Sequence, residues 1–272
     1  MNVLYDGKDD NVMVDLETLN NVPGGVILSI GATVFGPRGL GAQFYAVVDR
    51  STCLMAGLSI GKDTLDWWEK QSPEARQVLV QAMDPMSSQP LSLALAAFAT
   101  WMDDNVGLDR VKVWGNGGDF DNAFLQAAYA AVGRPLPWKF WNNRCYRTLK
   151  NMVGRKYFQI KPPEREGTHH NALDDACYQA QHAVELLRVL DHAESTYETA
   201  TLAKSVPGTN FHNVKTDVRM VFDAPECRMV PGGLPTGSGQ AALTDVLVRN
   251  AIGNYYPDTN GDGVFRIPVE RP

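Results

Sequence analysis

The sequence predicts an α/β fold whose sheet opens as an antiparallel meander and is then flanked by helices. Short β-branched or aromatic runs at Asn11 to Asp15, Val26 to Phe35 and Gln43 to Val48 are separated by Pro and Gly turns, as successive strands require. A fourth run, Val111 to Trp114, passes through the glycine turn Gly115 to Gly118 straight into helical periodicity. Between and after these runs the pattern is amphipathic helix, which places helices against a sheet.

The helices follow in order. Asp63 to Gln71 and Ser72 to Met83 have helical composition, with Asp63 or Thr64, then Ser72-Pro73, as N-cap signals. Leu91 to Asn105 is a longer amphipathic helix, and Asp121 to Val132 can turn Phe124, Ala127, Ala128 and Ala131 inward. In Ala172 to Leu190, an apolar stripe of Leu173, Cys177, Ala180, Val184 and Leu187 leaves out both Asp174 and Asp175. After about residue 192 the texture changes: Pro207 to Asn213 and Pro225 to Gly239 are rich in Pro, Gly, Ser and Thr, broken by a strand-like Val218 to Phe222 and a helix-like Gln240 to Asn250. The expected organisation is one domain over 1–192 and an irregular C-terminal extension over 193–272.

Composition narrows the class. With 272 residues, 44% of them apolar, the chain can build a core, which excludes a fibrous or disordered protein. The start is polar and acidic, and no run approaches the roughly 18 apolar residues of a membrane span, so a cytoplasmic protein without membrane contact is expected. Cys53, Cys145, Cys177 and Cys227 lack zinc-site spacing and read as reduced and structural. The net charge of -6 argues against coating nucleic acid by bulk charge. Locally the balance reverses: Arg134 to Arg165 holds nine basic residues against Glu164 alone, a segment of +8 in a chain otherwise at -14. Trp138, Phe140, Trp141, Tyr146, Tyr157 and Phe158 are interleaved with those charges, a mixture suited to single-stranded nucleic acid; a solvated basic surface over core aromatics is the plainer alternative.

Three motifs carry the chemistry. Asp15 and Glu17 are two apart at a strand end, so one strand delivers two carboxylates to one sheet face. Trp114-Gly115-Asn116-Gly117-Gly118-Asp119-Phe120-Asp121 joins strand, glycine turn and helix start, where backbone approaches a phosphate closely. There Asp119 and Asp121 compete for the ligand role; Asp119 as helix cap and Asp121 as ligand is preferred, though propensity does not fix it. His170-Asn171-Ala172-Leu173-Asp174-Asp175 puts an imidazole just before a helix and carboxylates in its first turns. Periodicity decides neither between His169 and His170 nor between Asp174 and Asp175. Oxygen ligands for hard cations plus an imidazole able to act as general base are what metal-dependent phosphodiester cleavage requires.

Together these motifs resemble those of the DnaQ-like, or DEDDh, 3′-to-5′ exonucleases over about residues 9 to 192. The resemblance implies a ribonuclease-H-like mixed five-stranded sheet, metal ligands Asp15, Glu17, Asp121 and Asp175, and His170 as general base. It further implies two Mg²⁺, replaceable by Mn²⁺, and release of nucleoside 5′-monophosphates from a single-stranded 3′ end. Trp67-Trp68 with Gln71, and Asn116-Gly117 leading to Phe120-Asp121-Asn122, resemble the phage exonuclease A branch and its exoribonuclease-like bacterial relatives, with DNA favoured over RNA or short oligoribonucleotides. Candidate substrate contacts are Thr18, Leu19, Asn116, Phe120, Asn122, Arg144 and Arg147.

Rivals fare worse. Gly57-Leu58-Ser59-Ile60-Gly61 fits a serine-hydrolase elbow, but Ser51 to Ala56 makes a poor preceding strand. In the second motif, Phe120 replaces the third glycine of a dinucleotide fingerprint. A decayed, binding-only module should have lost one of the five catalytic residues. Asp258 to Gly263 imitates a calcium loop but has Val269 where the glutamate belongs, so a turn is expected.

Overall fold

The computed structural model describes residues 10–153 and 160–204, with side chains through 191. The chain divides into two compact units, Met1–Arg188 and Val189–Pro272. The Asp258 to Gly263 turn and Cys227 lie outside the described residues; Cys53, Cys145 and Cys177 form no disulfide. Among the described residues no helix is long and apolar enough to cross a membrane.

The first unit is the expected ribonuclease-H-like α/β architecture. Strands β1 (Asn11–Thr18), β2 (Ile27–Gly36) and β3 (Gly39–Val47) form the meander; β4 (Lys112–Gly115) and β5 (Asn143–Cys145) complete a mixed sheet of order β3-β2-β1-β4-β5. β1 is central, antiparallel to β2 and parallel to β4, which is parallel to β5. Parallel pairing brings the C-terminal ends of β1, β4 and β5 to one edge, where loops gather at a topological switch.

The helices are α1 (Arg50–Met55), α2 (Lys62–Trp68), α3 (Pro73–Gln81), α4 (Leu91–Asn105), α5 (Asp121–Ala131), α6 (Tyr146–Val153) and α7 (Ala172–Lys204). Val12, Val14 and Leu16 of β1 join one core cluster with Leu95 and Phe98 of α4 and Phe124 and Leu125 of α5. The opposite face carries Asp15 and Glu17. Gly31, paired with Asp15, lets α7 come down there, because a Cβ at Gly31 would overlap the backbone of Ala172 and Leu173.

Several expectations are corrected. Helix α1 was not anticipated: it is a single short stretch capped by Asp49, whose carboxylate accepts the Ser51 N–H at 2.8 Å. β3 begins at Gly39, next to the hairpin turn, earlier than Gln43. Gly61, rather than Asp63 or Thr64, is the N-cap of α2, without a side-chain bond, whereas Ser72 caps α3 as expected. β5 and α6 fall inside the segment whose charge and aromatic content hid the buried Tyr146, Leu149 and Val153. Finally, the buried face of α7 keeps Ala180, Val184 and Leu187 of the expected stripe and adds Ala172, Asp175, Ala176, Gln179, His182, Ala183 and Leu186, while Leu173 and Cys177 are only half-buried. The helix start at Ala172 and Leu173 is the part that lies close over Gly31.

Candidate active site

Asp15 and Glu17 leave β1 on the face covered by α7. Asn171 starts that helix: its Oδ1 accepts the N–H groups of Leu173 and Asp174 at 3.1 and 3.2 Å, as an N-cap does. The two competing aspartates then separate. Asp174 turns back and accepts the Thr168 N–H at 2.7 Å, whereas Asp175 faces the sheet, where ligand oxygens of Asp15, Glu17 and Asp175 lie within 4.8 Å of one another. Oδ2 of Asp175 accepts the His170 N–H at 3.1 Å, and its Oδ1 forms an ion pair with Arg165.

Asp121 arrives from the second motif. Gly115 makes room for it, since a Cβ there would sit 2.9 Å from the Asp121 side chain. The Asn116 N–H donates to Oδ2 of Asp121 at 2.7 Å, while Oδ1 is buried with no hydrogen-bond partner. Asp119 is exposed and does not cap α5, whose N-cap is Phe120 without a side-chain bond.

Crowding shows in the protonation equilibria. Burial, then the charges of Asp121, Glu17 and Asp175, raise Asp15 well above the usual carboxylate range. Burial, then Asp175 and Asp121, push Glu17 up to about 8. Burial also lifts Asp121 to about 6, against hydrogen bonds from the Asn116, Asp121 and Leu16 backbones and the charge of Arg147. A cation relieves this repulsion, and an all-oxygen donor set with one buried, unpartnered Asp121 oxygen fits a hard divalent ion.

His170 stands opposite. Its φ of 64° is left-handed, a conformation that non-glycine residues keep only when the surroundings enforce it. The ring meets Trp67 edge-on at 4.8 Å and Trp68 at 6.4 Å between centroids. Trp68 is anchored in turn, its Nε1 donating to the Thr18 carbonyl at 2.9 Å. Burial and the neighbouring His169 lower the His170 pKa, Asp175 opposing them. A neutral imidazole near carboxylates can accept a proton.

Asp15, Glu17, Asp175 and His170 line a cleft of about 960 Å³, whereas Asp121 is buried behind its wall. Of the candidate substrate contacts, Thr18, Asn116 and Phe120 line it. Leu19 does not: it is wholly buried in the core, its backbone bonded to Val26 and Gly61. Asn122 is also buried, its Nδ2 donating to the Val113 carbonyl at 2.9 Å to fasten α5 to β4. Arg144 donates to the Trp141 and Asn143 carbonyls at 3.0 and 2.9 Å, off the cleft wall. Arg147 also lies off the wall, beside Gly117.

The basic segment is thus divided. Lys150 and Arg165 line the cleft, Lys139 pairs with Asp109 at 3.1 Å, and Trp138 is core. Arg155, Lys156, Tyr157 and Phe158 lie outside the described residues. Ser59 has no hydrolase geometry: helix α1 precedes it instead of a strand, and its hydroxyl accepts from Asn20 at 2.9 Å and donates to the Gly24 carbonyl.

Sequence reasoning missed Gln179 and His182. Gln179 Nε2 donates to Asp15 Oδ1 at 2.7 Å, and His182 Nδ1 shares a buried 2.7 Å hydrogen bond with the Tyr146 hydroxyl. Both lie on Asp175's side of the helix, four and seven residues on, and that spacing was the available signal.

No curated protein matches the chain. Among solved structures it is similar to the nuclease domain of 3′hExo, a DEDDh family member, bound to rAMP: 12% identity, TM-score 0.47, covering 68% of this chain and 94% of that one. It is also similar to exonuclease X in complex with 5′-overhanging duplex DNA, at 11% identity, TM-score 0.42 and 66% and 92% coverage. A third is a 3′-exonuclease recognising the 3′ end of a histone mRNA stem-loop, at 12% identity, TM-score 0.45 and 67% and 84% coverage. The model of the Rv2179c-like 3′-5′ exoribonuclease domain matches residues 10–187, from the first residue before β1 to the buried turns of α7. Because that match spans all three motifs and well over half of the chain, the protein belongs to the Rv2179c-like 3′-5′ exoribonuclease domain family and is a 3′-to-5′ exonuclease.

Proposed function

We propose that this enzyme degrades single-stranded RNA from the 3′ end to nucleoside 5′-monophosphates, with two Mg²⁺ held by Asp15, Glu17, Asp121 and Asp175 and His170 as general base. The observation that carries the reading is the gathering of Asp15, Glu17 and Asp175 oxygens within 4.8 Å in a cleft. RNA replaces the DNA preference expected from the phage-like resemblance because the matching family is described as exoribonucleases.

Bound there, the cations supply Lewis-acid stabilisation to phosphoryl oxygens. The protein supplies the rest. Gln179 fixes the Asp15 carboxylate, and the Trp67–Trp68 wall fixes the His170 ring. Kept neutral by burial and His169, His170 takes the proton of the attacking water at a ring nitrogen. Phe120 and Trp67 present rings to bases near the 3′ end, and Lys150 and Arg165 meet phosphates. The catalytic domain ends near residue 192, leaving 193–272 outside it.

Digestion of 3′- and 5′-labelled RNA and DNA oligomers in Mg²⁺, Mn²⁺ or EDTA tests this directly. The expected result is stepwise loss from the 3′ end, RNA faster than DNA, only with a divalent ion. Asp15→Ala should abolish it; DNA consumed faster than RNA would overturn the substrate, and an active Asp15→Ala enzyme the site.

A further inference from the structure

A second group of donors stands beside the carboxylates: ligand atoms of His169, His170 and Asp175 also lie within 4.8 Å of one another. Adjacent residues in extended backbone send their side chains to opposite sides. The left-handed φ of 64° at His170 cancels that divergence and brings the two rings to 4.0 Å between centroids. Asp175 is fixed as third member because its carboxylate accepts the His170 N–H at 3.1 Å. Burial is graded, with His169 exposed, His170 half-buried and Asp175 buried, so the group opens to solvent at one end.

We propose that His169, His170 and Asp175 form a transition-metal site, selective for Zn²⁺ over Mg²⁺, whose occupation inhibits the enzyme. Two imidazole nitrogens and one carboxylate oxygen suit Zn²⁺ in a tetrahedron completed by water, at about 2.0–2.2 Å, whereas Mg²⁺ takes oxygen almost alone. Closing the group onto one ion needs mainly a rotamer change of His169, the exposed member. Arg165 is the internal competitor: it is ion-paired with Asp175 and stacked 4.2 Å over the Tyr178 ring. Inhibition rests on the proposed function, since Zn²⁺ there occupies the His170 lone pair and draws Asp175 away from Asp15 and Glu17. Binding does not rest on it.

Two measurements on the full-length protein separate these claims. Calorimetric titration with ZnCl₂ in excess Mg²⁺ should show one ion per chain. Binding should weaken about a hundredfold in His169→Gln and persist in Asp15→Asn, whose carboxylate is not in the group. Exonuclease assays in buffered Zn²⁺ should show wild-type inhibition at the concentration that fills the site. Half-inhibition of the Mg²⁺-dependent turnover that His169→Gln retains should need about a hundredfold more Zn²⁺ than in the wild type. No Zn²⁺ binding by the wild type, or equal binding by His169→Gln, would overturn the site. Binding through His169 without inhibition would overturn its regulatory role. A wild type inactive in Mg²⁺ would refute the proposed function while leaving the calorimetric test intact.

Discussion

Gly31→Ala isolates the contact on which the site's geometry depends. Gly31 has no left-handed φ, so its backbone accepts alanine, and any damage comes from the added methyl. That methyl would sit closer to the Ala172 carbonyl and the Leu173 nitrogen than carbon atoms approach in real structures. Backbone at a capped helix start cannot rotate aside, so the first turn of α7 must back off by roughly 1.5 Å to restore van der Waals contact. Overpacking of this kind costs about 1–3 kcal/mol, less the ~0.4–1 kcal/mol gained by restricting the unfolded chain. Activity should suffer more than stability. Asp175 lies in that turn, with its ligand oxygen within 4.8 Å of those of Asp15 and Glu17; a displacement of even about 1 Å costs about a hundredfold in rate. Thermal unfolding, Mn²⁺ calorimetry and oligonucleotide digestion, run together, should show a folded protein with weakened metal binding and kcat down by two orders of magnitude. A Gly31→Ala enzyme with undiminished turnover would refute the placement of α7 over the sheet.

Three further outcomes follow from the same geometry. In EDTA the raised carboxylates bind protons more tightly in the folded than in the unfolded state, so their stabilisation is full below about pH 4 and is lost as pH climbs towards the Glu17 value of about 8; Tm should fall from pH 5 to 8 and the slope should flatten with Mg²⁺, whereas a flat profile in EDTA would contradict the crowding. His170→Asn should fold normally, because asparagine tolerates the left-handed conformation, and should bind metal yet lose most turnover; full activity would remove His170 as base. Gln179→Leu should leave KM for the oligonucleotide in place while kcat and metal affinity fall about tenfold or more, as loss of a bond to a ligating carboxylate does; unchanged metal affinity would show that Asp15 needs no anchor.

What the sequence made legible, and what it hid, divides along one physical line. Strands β1, β2 and β4 and helix α4 could be read because burial of apolar residues sets their pattern, and Asp15 and Glu17 because strand alternation is rigid; in α5 Phe124 and Ala128 turn inward as expected, but Leu125 and Tyr129, not Ala127 and Ala131, complete the buried face. In α7 the same rule held for Ala180, Val184 and Leu187 and misled in the first turns. Leu173 and Cys177 are only half-buried, and the buried positions beside them are Ala172, Asp175, Ala176 and Gln179, small where the helix start meets Gly31 and polar where it reaches the carboxylates. A hydrophobicity pattern registers neither alanine-for-proximity nor a buried acid as an inward position, so it excluded Asp175 from the face it occupies. Leu19 and Asn122 erred the other way: neighbours in sequence to motif residues, they are buried, Leu19 in the core and Asn122 with its amide on the Val113 carbonyl. Functional helices of this kind break the apolar period where they work, and the break repeats: Asp175, Gln179 and His182 recur at helical spacing on one side. That polar recurrence inside an alanine-rich stripe marks the inward face of the first turns, where Leu173 does not, because a face turned toward both a close-packed sheet and a polar cleft requires the two together.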